Sequence, residues 1–324
     1  MLFNAALESA FRVWKTKLHT HGFLLHDGNE RLTNVRYADD VMLFAKSETK
    51  IIGMIELLIE AFGKVGLELN AAKSKILTNE ALAYSYVDVG DNLVEIIEAK
   101  SHHKYLGRYL SGECVLRETT EVNHRIQCAW FKFGQHTNIL CNRKVSIQLR
   151  LKFFDAIVTS KILFGLGALP LSSTSLRKIE VTENKMLRKI AGWIRIKDET
   201  WEVTMRRMKY RVQRASQQYP LIPWRRKIAK YLWNLVLRIK TSPSESWINE
   251  SSEWAPNEID DVSCDYFPYR CRGRPCIKWD SVVRKFCAFQ HNQSWQNLSI
   301  DVWNNSMDAF IQYFCSCDYD IEIS

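Results

Sequence analysis

Apolar positions change period several times along the chain, and each change predicts an element. Phe3, Leu7, Ala10, Phe11 and Trp14 recur at helical spacing, which predicts a core-facing helix at the start. Runs 22–26 and 31–36 flank Asp27-Gly28-Asn29-Glu30, and Asp-Gly between strand-like runs predicts a hairpin. A third run, 41–45, completes an antiparallel meander, with His26 on a strand face. Val35, Val41, Leu43 and Phe44 suit a buried hairpin. Ser47 then reads as a helix N-cap. Ile51, Ile55, Leu58 and Phe62 form an amphipathic stripe that must pack on the sheet, and Gly66 supplies the stop. Residues 84–99 predict more β structure around Gly90-Asp91-Asn92.

From about residue 113 the period becomes helical. Val122, Ile126, Trp130 and Phe133 make one stripe. Val145, Leu149, Phe153 and Ile157 make another, widened by Leu151, Phe154, Val158 and Ile162, and Pro170 ends that element. Leu176, Ile179, Val181, Met186, Leu187 and Ile190 predict a third helix, closed near Gly192. Residues 241–264, rich in Ser and acids with Pro243 and Pro256, read as a linker.

The candidate chemistry sits at Tyr37-Ala38-Asp39-Asp40, between the second and third strand-like runs. Adjacent carboxylates on a hairpin tip repel unless a cation lies beside them. Magnesium takes hard oxygen ligands from one or two carboxylates plus substrate phosphates. Two such ions stabilise the attacking and leaving oxygens of a phosphoryl transfer. Asp-Asp pairs also occur in ordinary solvated turns, so the setting gives this one its meaning.

Charge adds a partner. The formal net charge is +9, which favours a polyanion such as nucleic acid. Basic residues concentrate over 204–240, where Arg206, Arg207, Arg225 and Arg226 are interleaved with Tyr219 and Trp224. Such a stretch binds phosphates and stacks on bases, or forms the solvated face of a helix. No apolar run is long enough to span a bilayer, and no secretory leader pattern opens the chain. The nine cysteines are an odd number without a framework, which points to reduced thiols inside the cell, in nucleus or cytoplasm. Cys264, Cys271, Cys276 and Cys287 cluster near His291, but none has the C-x-x-C spacing of a zinc ribbon.

Taken together, the hairpin resembles the catalytic hairpin of reverse transcriptases, specifically those of non-LTR retrotransposons. Gly66-Leu67 to Asn70-Ala71-Ala72-Lys73-Ser74 is similar to that family's next motif, and His103-Lys104-Tyr105-Leu106-Gly107 to its Tyr-Leu-Gly strand and turn. The three occur in the family's order. The likeness covers roughly residues 1–200, and again a Gly273-Arg274-Pro275 tail motif with Trp279, Trp295, Trp303 and Phe310.

The resemblance implies an α+β fold. A partial polymerase palm, an antiparallel sheet with packed helices, would occupy 1–112. A helical thumb-like bundle with the basic region follows over 113–240, then the linker 241–264 and a small tail, 265–324. It implies RNA-directed DNA synthesis, with Asp39 and Asp40 holding Mg²⁺ of a two-metal site and Lys73 near the departing pyrophosphate. Tyr37, Lys104, Tyr105 and Gly107 would lie along the primer, and the partners would be an RNA template and a DNA primer. The likeness also departs from the pattern. The family carries a third metal-binding Asp upstream of the hairpin, and before Asp27 the only carboxylate here is Glu8. The fingers are absent too. A truncated polymerase, inactive alone, is therefore expected. A non-catalytic nucleic-acid-binding remnant and a helical protein-interaction scaffold are the alternatives.

Overall fold

The computed structural model describes residues 2–24, 31–78, 82–111, 114–243, 246–253 and 279–316. They divide into two compact units. One takes in residues 1–114 and the described part of 242–274; the other takes in 115–241 and the described part of 275–324.

In the first unit, helix α1 (Leu2–Lys15) buries Leu7, Ala10, Phe11 and Trp14, as its period predicts. Strands β1 (Phe23–Leu24) and β2 (Arg31–Leu32) pair antiparallel, as do β3 (Asn34–Tyr37) and β4 (Asp40–Leu43). The expected run 31–36 is thus broken at Thr33, which is buried and whose carbonyl accepts the Phe44 N–H at 2.9 Å. Helix α2 (Glu48–Gly63) starts at Ser47, whose hydroxyl accepts the Lys50 N–H at 3.4 Å. Gly66 takes a φ of 74° just beyond it, a left-handed stop that favours glycine. Replacing Ser47 by Ala is expected to lower this unit's stability by about 1 kcal/mol, read as a shift in urea midpoint.

α2 has two apolar sides. Met54, Leu58 and Ala61 pack with Leu7, Phe11, Trp14 and Leu18, and the Trp14 indole donates to the Met54 carbonyl at 2.9 Å. Ile55 packs with Val89 and Val94. Those two belong to β6 (Tyr86–Val89) and β7 (Asn92–Ile97), joined through Gly90 at a φ of 60°. β7 is the centre of a three-stranded sheet ordered β5-β7-β6, with β5 covering Lys75–Leu77. β5 runs parallel to β7, against the expectation of a wholly antiparallel palm. Parallel neighbours need a crossover, and the intervening β6 hairpin provides it. β8 (His102–Tyr105) and β9 (Arg108–Ser111) form a separate antiparallel hairpin.

The second unit is helical. It begins with α3 (Cys114–Gln135), α4 (Thr137–Leu140) and α5 (Ile147–Phe154), then a π-helical turn at Asp155–Thr159 and α6 (Ser160–Leu163). The buried seam across 147–163 is Leu151, Phe154, Val158 and Ile162, whereas Leu149 is 55% exposed. The flanking stripe thus proves to be the core and the expected main stripe its margin. The element ends at Gly165, φ 73°, ahead of Pro170. Beyond it come α7 (Ser173–Ile190), α8 (Trp201–Gln218) and α9 (Trp224–Thr241).

Residues 247–253, within the expected linker, form helix α10 (Trp247–Glu253). The tail folds as α11 (Ser281–His291), α12 (Ile300–Asn305) and α13 (Met307–Ser316), and it closes over α9. Trp303 stacks on Trp233 with ring centroids 3.6 Å apart and planes 8° off parallel. The Asp27–Glu30 turn, His26, Cys264, Cys271, Cys276 and Gly273-Arg274-Pro275 lie outside the described residues. Cys287 is buried, and the His291 ring faces the Ser306 hydroxyl at 3.0 Å.

Candidate functional site

The site begins with register. Tyr37 pairs with Asp40, so the turn between β3 and β4 is only Ala38 and Asp39. Ala38 takes a φ of 53°, the left-handed conformation that primed hairpin turns require. Asp39 therefore sits on the turn and Asp40 opens β4. Side chains alternate along a strand, so Asp40 shares a face with Met42, while Val41 and Leu43 pack on the α1–α2 core. Tyr37 lies directly across from Asp40 and is 68% exposed. The buried side of the hairpin thus holds its other side, with both carboxylates, in solvent.

Among the described residues no cation pairs with them. Arg36, the nearest in sequence, is engaged elsewhere: Nη1 donates to Glu8 at 3.1 Å and the guanidinium lies 4.3 Å over the Phe11 ring. Arg12 adds a second contact to Glu8 at 3.3 Å, and the two arginines hold that carboxyl below its ordinary range. Among the described residues neither Asp39 nor Asp40 has an ion pair, and no set of three His, Cys, Asp or Glu forms a metal cage. Two exposed hard-oxygen donors fit Mg²⁺ held jointly with substrate phosphates, but they do not make an all-protein site.

The structure brings one further candidate to the pair. In the β8–β9 hairpin, Leu106 and Gly107 form the turn with φ of 48° and 77°. Two positive values mark a primed turn, which Gly107 meets without strain and Leu106 does not. This turn fixes Tyr105, whose hydroxyl is buried and lacks a hydrogen-bond partner among the described residues. Burial pushes the phenol pKa up, and the charge of Asp40 pushes it further. Tyr105 and Asp40 are thus electrostatic neighbours across two hairpin tips, a link sequence order alone does not reveal. Lys104, on β8, is exposed.

Lys73 lies two residues before β5 rather than on it. Its N–H donates to the Asn70 side chain at 3.2 Å, and its own side chain is exposed. The four arginines named from the basic stretch separate into two kinds. Arg207 grips Glu199 through Nε at 3.0 Å and Nη2 at 2.8 Å. Arg225 bonds Glu180 at 3.1 Å and the Phe314 carbonyl at 2.9 Å. These two hold the bundle together through bonds within the fold. Arg206 and Arg226 are exposed.

Comparison with known proteins places this hairpin in a family context. Residues 1–110 match the family model of the reverse transcriptase (RNA-dependent DNA polymerase). The matched span contains the β3–β4 hairpin, most of the β8–β9 hairpin, the α2 core and the Lys73 turn, so this part of the chain is similar to a reverse-transcriptase domain. The chain is also similar to an uncharacterised transposon-derived protein of Caenorhabditis elegans, 27% identical over 165 residues. That alignment takes in 50% of this chain and 57% of the relative, so the chain spans little more than half the relative's length.

Proposed function

We propose that the reverse-transcriptase domain is a palm of the non-LTR retrotransposon type, in a chain of transposon origin. Asp39 and Asp40 would hold Mg²⁺, which supplies charge stabilisation to phosphoryl transfer when bound. The chain's own residues do the rest. Tyr37 and Tyr105 border the carboxylates where a primer end would rest, and Lys73 and Lys104 offer cations for phosphates. The observation that carries the reading is the Asp39–Asp40 pair, without an ion pair among the described residues, on the solvent side of a hairpin anchored to α1 and α2, within the matched span.

The incomplete donor set favours a specific form of the proposal. With two carboxylates and no third ligand among the described residues, this chain binds primer–template and does not extend it alone. An RNA template annealed to a DNA primer should bind at low salt and weaken steeply as salt rises. Mn²⁺ used as a paramagnetic probe should broaden signals near the hairpin in the parent and much less in Asp39→Asn. Failure to bind primer–template at low salt would overturn the reading. Template-dependent extension that disappears in Asp39→Asn would uphold the site and overturn the claim that the chain alone is silent.

A further inference from the structure

The helical unit contains a cleft of about 380 Å³, within the range of about 300–1,000 Å³ usual for small-ligand sites. Its walls include Trp130 of α3, Trp193 just beyond α7, and the cations Arg143 and Lys189. The Lys189 ammonium lies 5.4 Å over the Trp130 ring. A β-carbon built on Gly192 would meet Arg143 Nη2 at 3.4 Å and Arg211 Nη2 at 3.5 Å, so two guanidiniums converge on that glycine.

The cations divide by what they do. Arg150 donates to the Ile190 carbonyl at 2.6 Å, and Arg211 to the Gly192 carbonyl at 3.0 Å. Arg150 thus caps the last carbonyl of α7 and Arg211 the turn just beyond it, where positive charge is favoured. Arg143 and Lys189 have no carboxylate at ion-pair distance among the described residues. They line the cleft with charge that no acid among the described residues neutralises.

The rim continues the pattern. Trp193, Ile196 and Trp201 are 38%, 51% and 58% exposed, and Arg195 and Lys197 alternate with them. The Trp193 and Trp201 rings lie 5.9 Å apart. Apolar side chains gathered at a surface mark a site of contact. The segment is held in place from beneath. Arg207 donates to the Ile194 carbonyl at 2.7 Å as well as to Glu199, and the Thr204 hydroxyl donates to Glu199 at 2.7 Å. The exposed rings are therefore preorganised.

We propose that this cleft and its rim bind an unpaired nucleotide, with the base stacked on the Trp193 indole and the phosphate held by Arg143 and Lys189. Indole faces beside uncompensated cations are the elements of a single-strand platform, because every base has a π-face and every linkage a charge. An acidic peptide would satisfy the cations and leave the indoles without a planar partner. Every residue named lies beyond the span matched to the reverse transcriptase, so this is a site additional to the palm.

The test uses the full chain and a short labelled single-stranded oligonucleotide, read by fluorescence anisotropy, with circular dichroism confirming the fold of each variant. Trp193→Ala should weaken binding roughly tenfold, and Trp193→Phe should keep most of it. The Arg143→Gln/Lys189→Gln double variant should lower the salt slope by about 1.4, at 0.7 per phosphate contact on a single strand. Adenosine 5′-monophosphate distinguishes the source. Competition by it at micromolar concentration names a free mononucleotide, and its failure while the oligonucleotide binds names a single strand; either supports the site. An unchanged affinity in Trp193→Ala, an equal loss in Trp193→Phe, or no binding of either probe would overturn it. The Mn²⁺ broadening at the hairpin is read without oligonucleotide and this binding without Mn²⁺, so failure of the palm reading, on which this site does not depend, is distinguishable from failure of this site.

Discussion

Trp303→Ala is expected to cost the helical unit about 3–5 kcal/mol, the largest single loss in the chain. Trp303 is completely buried, and its ring is stacked on Trp233. Trp233 in turn meets Phe286 edge to face at 5.6 Å and lies 4.6 Å from Phe310. Removing Trp303 forfeits its burial and the stacking, and leaves a cavity between α9 and α12 that rigid rings fill poorly. The indole nitrogens of Trp233 and Trp303 are both buried without a hydrogen-bond partner among the described residues. Trp303→Phe discards one of these orphaned donors, so it should lose less than half as much as the alanine variant. Phe289, 79% exposed on α11, is the control, and Phe289→Ala should stay within about 0.5 kcal/mol. Urea unfolding measures all three, and a loss below about 1 kcal/mol for Trp303→Ala would contradict this account.

The second large effect depends on pH and resides in Glu183. Both its carboxyl oxygens face the Trp224 backbone N–H at 3.1 Å, at the first residue of α9. Lys227, Glu180 and Asp155 also act on it, but burial dominates and pushes its pKa up from 4.5 to about 8. Asp155 is already paired with Lys227, and Glu180 with Arg225. Between about pH 4.5 and 8 the unfolded chain has released this proton and the folded chain retains it. The unfolded state then binds fewer protons, so stability falls as pH rises through that window and is flat below it. The slope approaches about 1.4 kcal/mol per pH unit, or on the order of 5 kcal/mol across the window. Glu183→Gln should abolish this component and be more stable than the parent at pH 8. Denaturation curves from pH 5 to 9 decide it: parallel pH profiles for parent and Glu183→Gln would refute the assignment.

What sequence reveals here depends on how local its cause is. The α2 start at Ser47, its stripe and the Gly66 stop are set within a few turns of chain, and all three are legible. The Asp39–Asp40 turn is legible because the alternation of Val41 and Leu43 specifies which side of the hairpin is buried. The parallel pairing of β5 with β7 is not, since it depends on a partner some 20 residues away. Nor does a helical period say which of two adjoining stripes faces inward: across 147–163 the seam falls on Leu151, Phe154, Val158 and Ile162, which keep helical spacing through the π-helical turn. Charge is the least legible property. Arg206 and Arg207 read alike in a basic run, yet Arg206 faces solvent while Arg207 is locked to Glu199. The Trp193 rim shows only as Trp-Ile-Arg-Ile-Lys after a glycine, a pattern equally suited to an edge strand.

The closure of α9 by the tail has a consequence for synthesis of the chain. Trp233 leaves the ribosome about 70 residues before the ring that covers it, and at 5–20 residues per second this is a delay of roughly 4–14 seconds. During that interval the aromatic flank of α9 has no native cover, and a nascent chain in that state is a substrate for chaperones. The aromatic core on α9 therefore closes late, after α13 has emerged, while α1, α2 and the two hairpins can close long before.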